Sequence, residues 1–198
     1  MVVATQRRMT LEEYLSYDDG TEIRYELMDG VLVEMGAESK LNTQIITFLF
    51  VMFLQLGIPH YLLSNKAEIV VSSRKVTTRY PDLVVLTDVL EALLDDRTRY
   101  VIKSDMPPPA LVIEVVSPGD PGDPNYDRDY VEKRTEYAAR GIGEYWIIDP
   151  DRRWVLVLTL RDKIYQERRF VENDEISSLI FPAFRMTVTE VLKAGRQP

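Results

Sequence analysis

The stretch Ala110-Leu111-Val112-Ile113-Glu114-Val115-Val116-Ser117 decides how this chain is read. Its apolar residues are nearly continuous, as in a strand covered on both faces, yet Glu114 stands in the middle of the run. An enclosed carboxylate without a partner costs on the order of several kcal/mol, so a cation, a metal or a set of donors is expected beside it. The rival reading is an edge strand whose glutamate faces water. A second acid in the same kind of setting weighs against that rival: Asp82, in Tyr80-Pro81-Asp82-Leu83-Val84-Val85-Leu86. Two apolar strands that each carry one carboxylate can bring both acids to one point.

Strand alternation puts Val112, Glu114 and Val116 on one face and Leu111, Ile113 and Val115 on the other, while Asp82 shares its face with Val84 and Leu86. If the two strands are neighbours, the acids meet over one face of the sheet. They can then hold a divalent cation through oxygen, with the backbone carbonyl of Val115 as a third ligand. Mg²⁺ suits such a site because it takes one or two carboxylates and keeps several waters; Mn²⁺ is the alternative ion. A metal there would polarise a phosphate and lower the pKa of its bound water. Lys133, facing the sheet from the following helix, could stabilise charge developing on that phosphate. Each element has a rival: Asp82 after Pro81 can simply shape a turn, and Lys133 can lie on a solvated face paired with Asp129 four residues earlier.

Upstream, Thr10 precedes Leu11-Glu12-Glu13-Tyr14-Leu15 with Glu13 at the capping-box position, predicting a helix that ends near Asp18-Asp19-Gly20. Asp29-Gly30 between two alternating runs predicts a β-hairpin. Residues 41–56 carry Leu41, Ile45, Phe48, Leu49, Met52, Phe53 and Leu56 at three-and-four spacing, an amphipathic helix closed by Gly57 with a core-facing stripe. His60 follows in a loop or strand start and reads as structural. Residues 66–71 and 80–86 read as strands that can be sheet neighbours, separated by the turn Ser72-Ser73-Arg74-Lys75. The segment 88–100 reads as charged and locally helical, and Pro107-Pro108-Pro109 as a stiff lead into the central strand.

Downstream, Ser117–Tyr126 is a Pro/Gly/Asp loop that either borders a site or is plain surface. Residues 129–140 predict a helix sharing Tyr130, Lys133, Tyr137 and Arg140 on one face and closed by Gly141. The strand Glu144–Asp149 then completes a right-handed crossover. An antiparallel pair over 154–160 and 164–171 and a short helix from Thr187 end the chain.

The 198 residues suffice for one α/β domain and are short for two, so residues 1–198 are read as one domain with its core at about 10–190. No apolar run reaches the ~18 residues of a membrane span and the start lacks a signal-peptide core, which points to the cytoplasm. With no cysteine and one histidine, thiolate sites, disulfides and histidine-rich zinc sites are set aside. A metal here would be bound by oxygen. The net charge of -8 requires any nucleic-acid surface to be local or assembled by an oligomer.

Pro81-Asp82, Glu114 in an apolar strand and a following lysine resemble the PD-(D/E)XK nuclease superfamily, whose members hydrolyse nucleic-acid phosphodiesters with Mg²⁺. More closely, the chain is similar to the Uma-type family of restriction-endonuclease-like proteins. The residues carrying the likeness are Tyr25-Glu26-Leu27-x-Asp29-Gly30, Pro81-Asp82-Leu83, Pro109-x-Leu111-Val112-x-Glu114-Val115-x-Ser117-Pro118, and Lys133-x-x-x-Tyr137-x-x-x-Gly141-x-x-Glu144-Tyr145-Trp146-x-x-Asp149-Pro150. The resemblance implies a restriction-endonuclease-like α/β fold: a mixed central sheet flanked by helices, an N-terminal β-hairpin and further antiparallel strands on the C-terminal side. It also implies nucleic acid, DNA foremost, as substrate, and a homodimer whose two sites suit cutting both strands. In the superfamily's simplest form the lysine stands two residues after the acid, where this chain has Val116; the Uma-type pattern points instead to Lys133. Glu26 recurs in the family pattern and either joins the acids or braces the hairpin. Gln44, on the long helix, is a further candidate. Three functions stay open on these residues: a Mg²⁺-dependent endonuclease, a binding or assembly protein that keeps the fold without cleavage, and a hydrolase of smaller phosphate esters.

Overall fold

The structure is a computed structural model and describes residues 8–21, 23–36, 39–71, 77–95, 99–194 and 196. Helix α1 (Leu11–Leu15) starts with the reciprocal cap expected of Thr10 and Glu13. It ends before Asp18, because the Ser16 hydroxyl donates to the carbonyls of Glu12 and Glu13 and competes with the next turn. Strands β1 (Tyr25–Met28) and β2 (Val31–Glu34) form the hairpin, with Asp29 at φ 49° and Gly30 at φ 76°, the left-handed pair that a two-residue turn requires. Helix α2 (Lys40–Gln55) is capped by the Ser39 hydroxyl, buries Ile45, Ile46, Leu49 and Phe53, and is followed by Gly57 at φ 87°. His60 is exposed at the start of a 3-10 turn.

Strands β3 (Leu63–Ser64), β4 (Glu68–Val70), β5 (Thr78–Arg79) and β6 (Leu83–Val85) follow. Here one expectation is corrected: residues 66–71 and 80–86 are not sheet neighbours. Pro81, which has no N–H to give a ladder, shortens the second run to Leu83–Val85 and separates it from Thr78–Arg79. Thr78–Arg79 pairs with β4 and Leu83–Val85 pairs elsewhere. The turn expected at Ser72–Lys75 lies outside the described residues. The helix expected over 88–100 is only α3 (Asp88–Glu91), capped by Thr87. Strand β7 (Val101–Ile102) joins β4 in parallel.

Strand β8 (Leu111–Val115) is the centre. Next come α4 (Pro124–Tyr126), a π-helical turn over Asp127–Glu132, α5 (Lys133–Arg140), and strands β9 (Glu144–Asp149), β10 (Trp154–Arg161) and β11 (Ile164–Val171). Gly141 closes α5 at φ 81°. The ribbon β12 (Glu175–Ile176) and β13 (Met186–Thr187) precedes α6 (Val188–Leu192), which begins with a Thr187–Glu190 capping box.

The main sheet runs β11-β10-β9-β8-β6-β3, parallel between β8 and β9 and antiparallel elsewhere. On one face Leu111, Ile113 and Val115 pack with Ile45, Leu49 and Phe53 of α2 and Val191 of α6. On the other, Val112 and Val116 pack with Tyr137 of α5 and with Ile69 and Ile102 of the small sheet β5-β4-β7. Covering both faces of β8 explains its continuous apolar run. It also removes the edge-strand reading of Glu114, which is 3% exposed. The hairpin is tied down by the Leu27 N–H, which donates to the Thr78 hydroxyl, and by the Thr77 N–H, which donates to the Leu27 carbonyl. Among the described residues no helix is long and apolar enough to cross a membrane.

Candidate active site

The register of β6 on β8 pairs Leu83 with Ile113 and Val84 with Val112. One step further along the same ladder stand Asp82 and Glu114, on the sheet face of Val84 and Val112, as strand alternation requires. Asp82 lies just before β6 and its Oδ2 accepts from the Val115 N–H at 2.7 Å, so a side chain extends the ladder where the backbone turns away. Glu114 accepts from Lys133 Nζ at 2.8 Å on Oε2 and from the Tyr137 hydroxyl at 2.9 Å on Oε1.

The segment that delivers these donors departs from a plain helix. The expected helix over 129–140 is continuous with α4 through the π-helical turn at Asp127–Glu132, a feature recurrent at functional sites. Within it Asp129, and beyond it Lys133 and Tyr137, spaced by four, all face the sheet and are buried. Lys133 is therefore not on a solvated face, and its pairing with Asp129 at 2.8 Å does not compete with the one to Glu114: its Nζ makes both. Arg128 closes on Asp129 through two bonds of 3.1 and 3.0 Å. The Tyr145 hydroxyl holds the Asp129 carbonyl at 2.9 Å, which gives one residue of the 144–150 motif a structural task. Two others have one as well: Glu144 binds the Trp146 indole, and Asp149 binds Tyr130 and Arg152.

Beneath the acids lies a second ionic group that the sequence reading missed. Arg79 is fully buried and donates to both oxygens of Glu136 at 2.8 and 3.2 Å, to Glu26 at 3.1 Å and to Glu132 at 3.0 Å. Glu26 also accepts from the Tyr80 N–H at 3.3 Å. From β1, Glu26 thus ties the hairpin to Arg79 of β5 and also lines the cleft with the acids.

That cleft encloses about 350 Å³ and is lined by Glu26, Asp82, Glu114, Val115, Asp129 and Lys133 among others, with Ser117 and Asn125 of the Pro/Gly/Asp loop on its border. Asn42 of α2 donates to the Val115 carbonyl at 3.0 Å. Gln44, two positions on, lines neither this cleft nor the one beside it. Among the described residues no group of three or more carboxylate, imidazole or thiol side chains is placed to hold a metal. Two carboxylates and a carbonyl still fit Mg²⁺, which binds few protein ligands. Each Glu114 oxygen accepts one bond in this structure and has capacity for a second.

Burial raises the Glu114 carboxyl above its ordinary value, and the charge of Asp129 pushes the same way against Lys133 and Tyr137. Burial would raise Asp129 too, but Lys133 and Arg128 outweigh it and hold that carboxyl below its usual range. Burial works against the Lys133 cation, but Asp129, Glu114 and Glu26 overcome it and raise its pKa. Tyr137 is pushed well above the normal phenol value, by burial first and Glu114 next. Lys133 and Tyr137 are thus fixed donors, whereas burial disfavours the charged form of Glu114, which a further cation would favour.

The sign of the Asp129 shift gives a pH dependence. A carboxyl depressed in the folded state contributes stability above its unfolded pKa of about 3.9, lost as pH falls through the folded value; Glu114, being raised, cannot supply this loss. Urea unfolding at pH 6 and pH 3 will therefore show a smaller pH-dependent loss in Asp129→Asn than in the wild type. An unchanged loss would mean that Asp129 is not held as described.

A family model described as "Putative restriction endonuclease", Uma2, matches residues 11–189. Among solved structures, a crystal structure titled as a putative nuclease belonging to DUF820 from Anabaena variabilis ATCC 29413 aligns with TM-score 0.72 at 15% identity, covering 95% of this chain and 99% of that one. A search of curated proteins finds no match. The likeness extends over nearly the whole described fold.

Proposed function

The chain belongs to the Uma2 family, and from that membership we propose that it is a Mg²⁺-dependent endonuclease acting on nucleic acid, DNA foremost. The observation that carries this reading is the register that sets Asp82 beside Glu114 over one face of the sheet, both on the wall of one cleft. Asp82, Glu114 and the Val115 carbonyl would hold the ion; Mn²⁺ has the same ligand preference for oxygen. A bound ion supplies polarisation of the phosphodiester and acidifies water at neutral pH. Lys133 presents a permanent cation at the cleft wall, where it opposes negative charge building on the phosphate. Tyr137 and Arg128 are positioning residues, the first holding Glu114 and the second holding Asp129. A homodimer would place two such sites on opposite strands.

A second reading, a binding or assembly protein without cleavage, is favoured by one observation: Lys133 already neutralises Glu114 at 2.8 Å, as a purely structural ion pair would. The test is cleavage of plasmid DNA, single-stranded DNA and RNA with Mg²⁺ and with EDTA, alongside Mg²⁺ titration by calorimetry. The nuclease reading expects cleavage that EDTA stops and one ion site that Asp82→Ala removes. A wild-type protein that neither binds Mg²⁺ nor cleaves any of the three overturns it.

A further inference from the structure

Two more clefts adjoin the acid site, and their walls are shared. The first, about 460 Å³, runs between the hairpin's exit at Met35 and Gly36 and the α2 residues Asn42 and Thr43. The second, about 500 Å³, is lined by Tyr17, Tyr25, Lys66, Arg99 and Tyr100. Tyr80 borders all three clefts, Asp82 borders the acid cleft and the first, and Arg24 borders the first and second. Side by side, they make a trench lined in turn by the acids, Tyr80 and a group of tyrosines.

Two exposed cations, Arg24 and Lys66, stand on its walls. Arg79, Arg99, Arg128, Arg134, Arg152 and Arg185 are each ion-paired with a carboxylate. Arg24 and Lys66 are exposed and make no ion pair among the described residues. The Arg24 guanidinium sits 6.0 Å from the Tyr80 ring centroid, and Tyr17, 38% exposed, meets Tyr25 edge-on at 6.1 Å. Acids share these walls: Asp19 accepts from the Thr21 and Tyr25 hydroxyls, Asp18 accepts from the Gly20 N–H, and Glu34 lines the first cleft and the acid cleft. Exposed cations interleaved with tyrosine faces are what a single nucleic-acid strand uses, through phosphate contacts and base stacking.

We infer that this trench binds a single-stranded stretch of the substrate as it leaves the acid site, with Arg24 and Lys66 on phosphates and Tyr17 stacking on a base. The inference rests on the nuclease reading of Asp82 and Glu114 and names the substrate class for it: nucleic acid unpaired beside the point of cleavage.

The test is fluorescence polarisation in EDTA, which prevents cleavage, with labelled short single-stranded DNA, single-stranded RNA of the same sequence and the matching DNA duplex. The trench expects a single strand to bind more tightly than the duplex, and the DNA and RNA arms identify which strand it takes. Arg24→Gln with Lys66→Gln should weaken single-strand binding about tenfold and lower the log–log salt slope by about 1.4, at ~0.7 per phosphate lost. Tyr17→Ala should weaken it at least about fivefold, as loss of one stacked base does. Unchanged affinity and slope in the double variant, no single-strand binding by the wild type, or a duplex bound as tightly as the strand each overturns the trench. If cleavage survives such a failure, the acid site stands without it; if strands bind through Arg24 and Lys66 but are never cut, the acid-site reading fails and the trench stands.

Discussion

Glu114→Gln will abolish cleavage, with a fall of at least about a thousandfold in rate, while the protein stays folded. Glutamine keeps the shape of the side chain; its carbonyl can accept from the Lys133 ammonium while its amide donates to the Tyr137 hydroxyl, so the packing of β8 survives. What it removes is the negative charge. Without it the ion proposed for this site would lose one of its two carboxylates, and Lys133 would keep only its pairing with Asp129 at 2.8 Å. Loss of one preorganised electrostatic element costs about 10²–10³ in rate, and the loss of the ion adds to that. A nicking assay on the purified variant, with circular dichroism as the control for folding, checks it. Activity within about tenfold of wild type would remove Glu114 from the machinery. Equal activity in both preparations would mark the cleavage as a contaminant's.

Arg79→Met should have the largest effect on stability. The guanidinium is enclosed and joined to Glu26, Glu132 and Glu136. Methionine fills the volume but leaves those carboxylates, two of them buried, without their cation. Removing one partner of a buried ionic group costs about 3–5 kcal/mol, and for a chain of this size each kcal/mol moves the melting temperature by about 2–4 °C. Thermal unfolding should therefore fall by roughly 6–20 °C. Arg79→Lys should recover only part of this, because one ammonium cannot reproduce the fork that takes both oxygens of Glu136 and reaches Glu26 as well. Adding Glu136→Met to Arg79→Met should restore some of the loss, since it removes a carboxylate left stranded. A melting temperature within about 2 °C of wild type for Arg79→Met would mean that the group adds nothing.

The sequence makes some of this visible and hides the rest for physical reasons. Asp82 and Glu114 are readable as partners because strand alternation is strict: once β6 and β8 pair, their faces cannot be chosen separately. The hairpin at Asp29-Gly30 and the caps at Thr10 and Thr187 are local chemistry, and they appear where local chemistry puts them. The small sheet was misassigned because β4 and β5 have three and two residues, too few to display a period, and their partners are chosen by distant contacts. The wide turn at 127–132 leaves no compositional mark, since one residue more per turn needs no special amino acid. Arg79 carried the same signal as Glu114, a charge in a buried strand, but Tyr80-Pro81 beside it made the segment look like the start of a single strand. Asn42 was hidden by the apolar stripe of α2, which draws attention away from its one buried amide.

The ionic group around Arg79 has a further consequence, in time rather than in energy. Its bonds join positions 53 and 57 apart in the chain, so they can close only after the hairpin, β5 and the crossover helix have already met. Interactions absent from the folding transition state leave the rate of folding almost untouched and act on the rate of escape from the native state. A group that closes after that point would work as a latch: Arg79→Met would then speed unfolding in stopped-flow measurements and leave the folding rate almost as it is.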